Sequence, residues 1–217
     1  MLFVREGERP DSPAVRGRVG RFSGGLGIVL NTLLAAAKIA VGALSGMISV
    51  LADGLNNLTD CGSNVVSVIG FRMSEKPADK EHPFGHQRAE SVAAMIIAFI
   101  VLVVAAELAV QSVEKIITPA ESEYSALLVA VLAVSVAVKL GMFFLNRFFA
   151  RAVQSEALKA TAADSISDAV ATAAVLAAAL VSHFTDVQLD GYMGIAVAIF
   201  IAFTGFSILK DTVSRLL

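Results

Sequence analysis

The sequence predicts an all-α integral membrane protein of six transmembrane helices with both termini in the cytoplasm, and three observations predict it. Of 217 residues, 56% are hydrophobic and only 17% are charged, too few to build the polar shell that a soluble domain of this size needs. Six long apolar stretches follow one another, and a helix that crosses the ~30 Å hydrocarbon core takes about 20 such residues. Positive charge gathers in alternate connections, and that bias orients the helices.

The spans lie at roughly 22–47, 47–74, 88–118, 124–149, 156–183 and 189–213. These runs are too long and continuous for the strands of a β-barrel, which alternate over about ten residues. Little chain is left between them, so 22–217 reads as one membrane domain and 1–21 as a cytoplasmic N-terminal tail. The tail is Arg-rich and polar, suited to touching anionic lipid, and has no signal-peptide cleavage pattern. The net charge of −2 conceals the asymmetry. Arg5, Arg9, Arg16, Arg18 and Arg21 precede the first span. Arg72, Lys76, Lys80 and Arg88 surround the second connection, Arg147, Arg151 and Lys159 the fourth, and Lys210 and Arg215 close the chain. The remaining connections hold Glu121, Glu123, Asp186 and Asp190, with Lys115 the exception. An even number of spans with both ends inside satisfies this pattern. The expected location is the cytoplasmic membrane of a bacterium, with lipid as a partner and no nucleic acid.

Span one contains Asn31 and Lys38 and ends in Gly42-Ala43-Leu44-Ser45-Gly46, small residues that let a neighbouring helix come close. After a very short turn, span two carries the polar stretch from Asp53 to Asp60. Pro77 and Pro83 stiffen the long polar connection between Glu75 and His86. Span three holds Glu107 and Glu114, span four Lys139, and span five Asp164 and Asp168; span six is almost wholly apolar.

A carboxylate at the bilayer centre costs about 2.5–3.5 kcal/mol on insertion scales, so such residues turn towards the bundle interior or a wet cavity. The i, i+4 spacing stacks Asn56 over Asp60 on one helix face and Asp164 over Asp168 on another. If the two faces meet, four oxygen-bearing side chains converge at similar depth and form a cage for one divalent cation. The alternative for any one of them is a plain helix–helix hydrogen bond. Asp53 shares the face of Asn56 and Asp60, as a group beside the ligands or as a structural hydrogen bond. Lys38, Glu107, Glu114 and Lys139 read as interhelical ion pairs or as side chains reaching for the interface. His183 reads as interfacial and Cys61 as packing. A single cysteine excludes an internal disulfide and any multi-thiolate metal site within the chain.

These residues resemble the cation diffusion facilitator family, in an ordered set that covers nearly the whole chain. The set comprises Asn31, Lys38, Gly42 and Ser45; then Ala52-Asp53-Gly54-Leu55-Asn56-Asn57-Leu58-Thr59-Asp60. The loop Pro77 to Glu90 follows, with His82-Pro83-Phe84-Gly85-His86 at its centre, and last Leu158-Lys159-Ala160 before Asp164-Ser165-Ile166-Ser167-Asp168. The resemblance implies a homodimeric divalent-cation efflux transporter, a metal/proton antiporter working by alternating access and not an enzyme. It implies no prosthetic group, only the transported cation and protons. Zinc members typically have His at one or both of the positions of Asn56 and Asp164; the quartet Asn56, Asp60, Asp164 and Asp168 looks like the manganese branch. Oxygen donors suit hard ions such as manganese, so Mn2+ is expected first, then Fe2+ and Zn2+. Asp79, His82 and His86 match a secondary cytoplasmic metal site of some members, and equally read as a loop that caps span three. In the family a cytoplasmic domain usually follows the sixth span, and this sequence, read to Leu217, is expected to lack it.

Two other function classes compete with this reading. One is a non-transporting scaffold or assembly partner whose polar pairs only lock helices together. The other is an organic-cation exporter, which would set aromatic walls beside its acid; aromatics are 7% here, without Trp.

Overall fold

A computed structural model describes residues 13–74, 87–119, 123–185 and 187–216. The described residues form six α-helices: α1 (Pro13–Ser45), α2 (Ile48–Ser74), α3 (Gln87–Ile117), α4 (Ala126–Val153), α5 (Glu156–Phe184) and α6 (Asp190–Leu216). Helices are the form that satisfies every backbone N–H and C=O within one segment, as a lipid surround demands. Five of the six are long and apolar enough to cross a membrane. α2 has comparable length, at 27 residues, and owes its lower hydropathy to Asp53, Asn56, Asn57 and Asp60. The all-helical fold class and the six helices expected from the sequence are observed.

Helix α1 begins at Pro13, well before the span boundary read near Phe22. Val15 and Val19, four residues apart, are buried against Ala150, Val153 and Leu158, and this apolar contact carries the helix through the arginine-rich segment. Residues 1–12 lie outside the described part.

The turn from α1 to α2 is as short as the sequence implies. Gly46 holds a φ of +64° there, a left-handed conformation that costs other L-residues energy. α1 and α2 then run back to back at close range. A Cβ on Gly54 would sit 2.9 Å from the Ile39 backbone nitrogen, and one on Gly42 would sit 2.6 Å from that of Leu51. Neither position has room for a side chain, so these glycines set the register of α1 on α2.

α3 packs along α6, α4 along α5 and α1 along α2, while α2 also touches α3, α5 and α6. Helices α2 and α5, which carry the two acidic pairs, therefore meet inside the bundle. The α1–α2, α3–α4 and α5–α6 connections share one end: Glu123 N–H donates to Ser45 O, and the Ile48 N–H donates to Asp190. Towards that end the interior is filled by Val41, Met47, Val50, Leu128, Leu132, Val175 and Ile201. Apolar packing closes the bundle there and leaves the polar site in the middle.

Candidate metal centre

Asp60 lies near the midpoint of α2 and Asp168 near the midpoint of α5. With a rise of about 1.5 Å per residue, both stand well inside a bilayer-length helix. Each is four residues from its partner, so one face of α2 presents Asn56 and Asp60 and one face of α5 presents Asp164 and Asp168. The faces meet. One oxygen from each of Asp60, Asp164 and Asp168 lies within 4.8 Å of the others, a spread that small side-chain rotations close around a single ion. Asn56 joins the group through its Nδ2, which donates to Asp168 Oδ1 at 3.2 Å.

Two atoms of this cluster have unmet bonding capacity. Asn56 Oδ1 and Asp60 Oδ2 are buried and have no hydrogen-bond partner, although Asp60 Oδ2 has the Lys139 ammonium at 3.8 Å. Unpaired buried acceptors are costly, and both are donors of the kind a hard divalent cation accepts. Turning the Asn56 amide exchanges its nitrogen for its oxygen and frees Asp168 Oδ1 in the same motion. The oxygen set thus fits a cation as ligand without help from nitrogen or sulfur.

Exposure is graded across the site. Asp164 is exposed, Asp60 half-buried, and Asp168 and Asn56 are buried. The cluster opens on the Asp164 side, towards the end of the bundle that bears the α4–α5 connection. On the opposite side it is sealed by a second polar layer. Asp53, three residues before Asn56, pairs with Lys38 at 2.8 Å, and Lys38 also donates to Thr172 Oγ1 at 2.8 Å. Asp53 thereby holds an ion pair about one turn from Asn56 and two turns from Asp60 along α2. Thr172 escaped the sequence reading, although it continues the 164, 168 spacing by one more turn.

Lys139 also proves to be part of the site. Its ammonium donates to Asp168 Oδ2 and stands 3.8 Å from Asp60 Oδ2, so it is an interhelical ion pair and not a side chain reaching for the interface. Glu107 and Glu114 lie exposed on the outer side of α3 and stand apart from the cluster. Cys61 is buried, and its Sγ shares a hydrogen bond with Thr32 Oγ1 at 2.9 Å and donates to Ile28 O at 3.5 Å. His183 stacks on Tyr124 with ring centroids 5.2 Å apart at the end of α5. The proposed loop ligands Asp79, His82 and His86 lie outside the described residues.

The described residues thus form a six-helix bundle in which three carboxylates and one amide gather near the midpoints of α2 and α5. The chain belongs to the family described as the cation efflux transmembrane domain, which it matches over residues 26–217; this is the cation diffusion facilitator membership that its motifs imply. It is 34% identical over 187 residues to the uncharacterized transporter YdbO of Bacillus subtilis (strain 168), covering 86% of this chain and 64% of that protein. It is 34% identical over 181 residues to the manganese efflux system protein MneS of the same organism, covering 83% and 62%. It is 26% identical over 186 residues to the cation-efflux pump FieF of Cronobacter sakazakii (strain ATCC BAA-894), covering 86% and 62%. The chain therefore spans a little under two thirds of the length of these relatives. It is an integral membrane protein of the bacterial cell membrane and a member of a family of cation transporters.

Proposed function

We propose that the chain exports divalent metal cations by proton-coupled alternating access, with Mn2+ as the preferred cargo and Fe2+ and Zn2+ behind it. The observation that carries this reading is the meeting of Asp60, Asp164 and Asp168 within 4.8 Å beside the Asn56 amide. A site of four oxygen donors favours hard ions over those that seek imidazole or thiolate. The likeness to a manganese efflux protein supports the choice of metal, and the likeness to the cation-efflux pump FieF supports export more generally.

In this reading the exposed Asp164 faces the cytoplasm, as the positive charge around the α4–α5 connection favours. The ion enters there, sheds water onto Asp60 and Asp164, and completes its shell on Asp168 and on Asn56 after the amide turns. The Lys38–Asp53–Thr172 layer and the apolar packing beyond it block the way out until the bundle rocks. Carboxylates bind a metal only when deprotonated, so metal and protons compete for the same oxygens, and protonation from outside releases the ion. The proposed assembly is a homodimer, which would also cover the outward-facing Glu107 that a lone copy exposes at membrane depth.

The direct test is Mn2+ flux into or out of liposomes holding the purified protein, at a set pH difference. Asp60→Ala and Asp168→Ala abolish flux in this reading, and saturable Mn2+ binding with it. Flux that survives either change removes the quartet as the transport site.

A further inference from the structure

Lys139 stands where a carbon chain cannot escape to water. It lies thirteen residues from the start of α4 (Ala126–Val153), about 20 Å along the axis, and is 1% exposed. Its stripe, Leu128, Leu132, Ser135, Lys139, Met142 and Asn146, is buried throughout. At that depth an ammonium needs a built-in partner, and it has two: Asp168, to which it donates, and Asp60 at 3.8 Å. These are two of the three carboxylates in the cation cluster.

We propose that Lys139 is a tethered counter-cation, which holds the metal's seat while the site is empty and must leave it for the ion to load. The inference rests on the metal-site reading above. Its basis is the occupancy of Asp168. Oδ1 receives the Asn56 amide and Oδ2 receives the Lys139 ammonium, so each oxygen already carries a donor on one of its two lone pairs, and the one on Oδ2 is a full positive charge at the metal's seat. The two donors differ in what they can become. Asn56 turns from donor to ligand by rotating its amide. An ammonium has three donors and no acceptor, so it can only compete. A divalent ion bound by oxygens of Asp60 and Asp168 would bring two further positive charges against Nζ, and like charges at that range in a buried site repel strongly. Loading is then an exchange of one cation for another. On release, the returning ammonium neutralises part of the three-carboxylate cluster and stops the emptied site from recapturing its cargo.

The test compares parent, Lys139→Met, Lys139→Arg and Asp168→Asn as full chains. Mn2+ binding is measured by calorimetry in nanodiscs and Mn2+ flux in liposomes. Removal of the competitor makes Lys139→Met bind Mn2+ at least about tenfold tighter, while slower release lowers the maximal rate, so KM and kcat fall together. Lys139→Arg, which keeps the charge, stays near the parent in affinity. Unchanged or weaker binding in Lys139→Met overturns the proposal, because a purely structural pair gives that result. Lys139→Gln provides the same comparison if the Met variant aggregates; aggregation of both also overturns it, since a lysine needed for folding alone is a structural ion pair. Asp168→Asn separates the two ideas. Binding that survives it removes the metal-site reading, whereas binding lost in Asp168→Asn with no gain in Lys139→Met removes only the counter-cation.

Discussion

Lys38 Nζ lies 2.8 Å from Asp53 Oδ2, with the two side chains 0% and 2% exposed. Thr172 closes the pair into a triangle, accepting from Lys38 at 2.8 Å and donating to Asp53 Oδ1 at 3.2 Å. Three helices, α1, α2 and α5, are tied together at one depth, about one turn from Asn56 and Asp168. Any rearrangement that carries an ion past this layer has to part these groups or move them as a block.

The pair sets up a comparison of single and double changes. Lys38→Met strands a buried carboxylate, and losing one member of such a pair costs about 3–5 kcal/mol. Lys38→Met combined with Asp53→Asn leaves no unpaired charge and recovers most of that loss. Thermal denaturation in detergent, followed by the loss of monodisperse protein, reads both. Equal destabilisation of the single and double variants would show that the Lys38–Asp53 charge pair is not the unit that matters.

A second anchor lies at the end of the bundle. Asp190, the first residue of α6, accepts from the Ile48 N–H at 2.9 Å and from the Ser49 N–H at 3.0 Å. It therefore caps the start of α2 from another helix. It also takes the Ser49 hydroxyl and pairs with Lys115 at 2.8 Å. Asp190→Ala removes the cap and part of the surroundings of a buried ammonium, for about 2 kcal/mol or more. Ser49→Ala removes one hydrogen bond, for about 1 kcal/mol. Melting temperatures should fall in that order while Mn2+ affinity stays at the parent value, because the contact lies far along α2 from Asp60. A drop in affinity as large as the drop in stability would mean that the anchor and the site are coupled.

Periodicity made part of this legible in advance. Apolar runs of bilayer length gave the six helices, and the i, i+4 pairs on spans two and five carried the faces that meet. Lys139 was harder, because one lysine in an apolar helix has no pattern of its own; only its distance from both helix ends shows that it cannot reach water. Its partners, Asp168 on α5 and Asp60 on α2, come from the packing of the helices, which no local spacing encodes. Asp190 reads as one more loop carboxylate until α6 is placed beside α2. The Lys38–Asp53 pair depends on the register that Gly42 and Gly54 impose, a matter of missing side chains. Val15 and Val19 did carry a helical signal before Phe22, masked by the arginines around them.

The donor set yields the last prediction. Asn56 contributes an amide oxygen to the proposed shell, and Asn56→His puts an imidazole nitrogen in its place. Imidazole suits zinc, whereas an all-oxygen set suits manganese. Liposomes offered Mn2+ and Zn2+ together should therefore shift in their uptake ratio towards zinc by about tenfold, a difference of 1.4 kcal/mol between the two ions. Asp164→His should act in the same sense but more weakly, because Asp164 is exposed and water can take the place of a poorly fitting ligand there. The buried Asn56, 3% exposed, has no such substitute. If the ratio stays fixed in Asn56→His while Asp168→Ala abolishes uptake of both ions, the site binds its cargo through these residues but selects it elsewhere, in the geometry of the bundle and not in the chemistry of the donors.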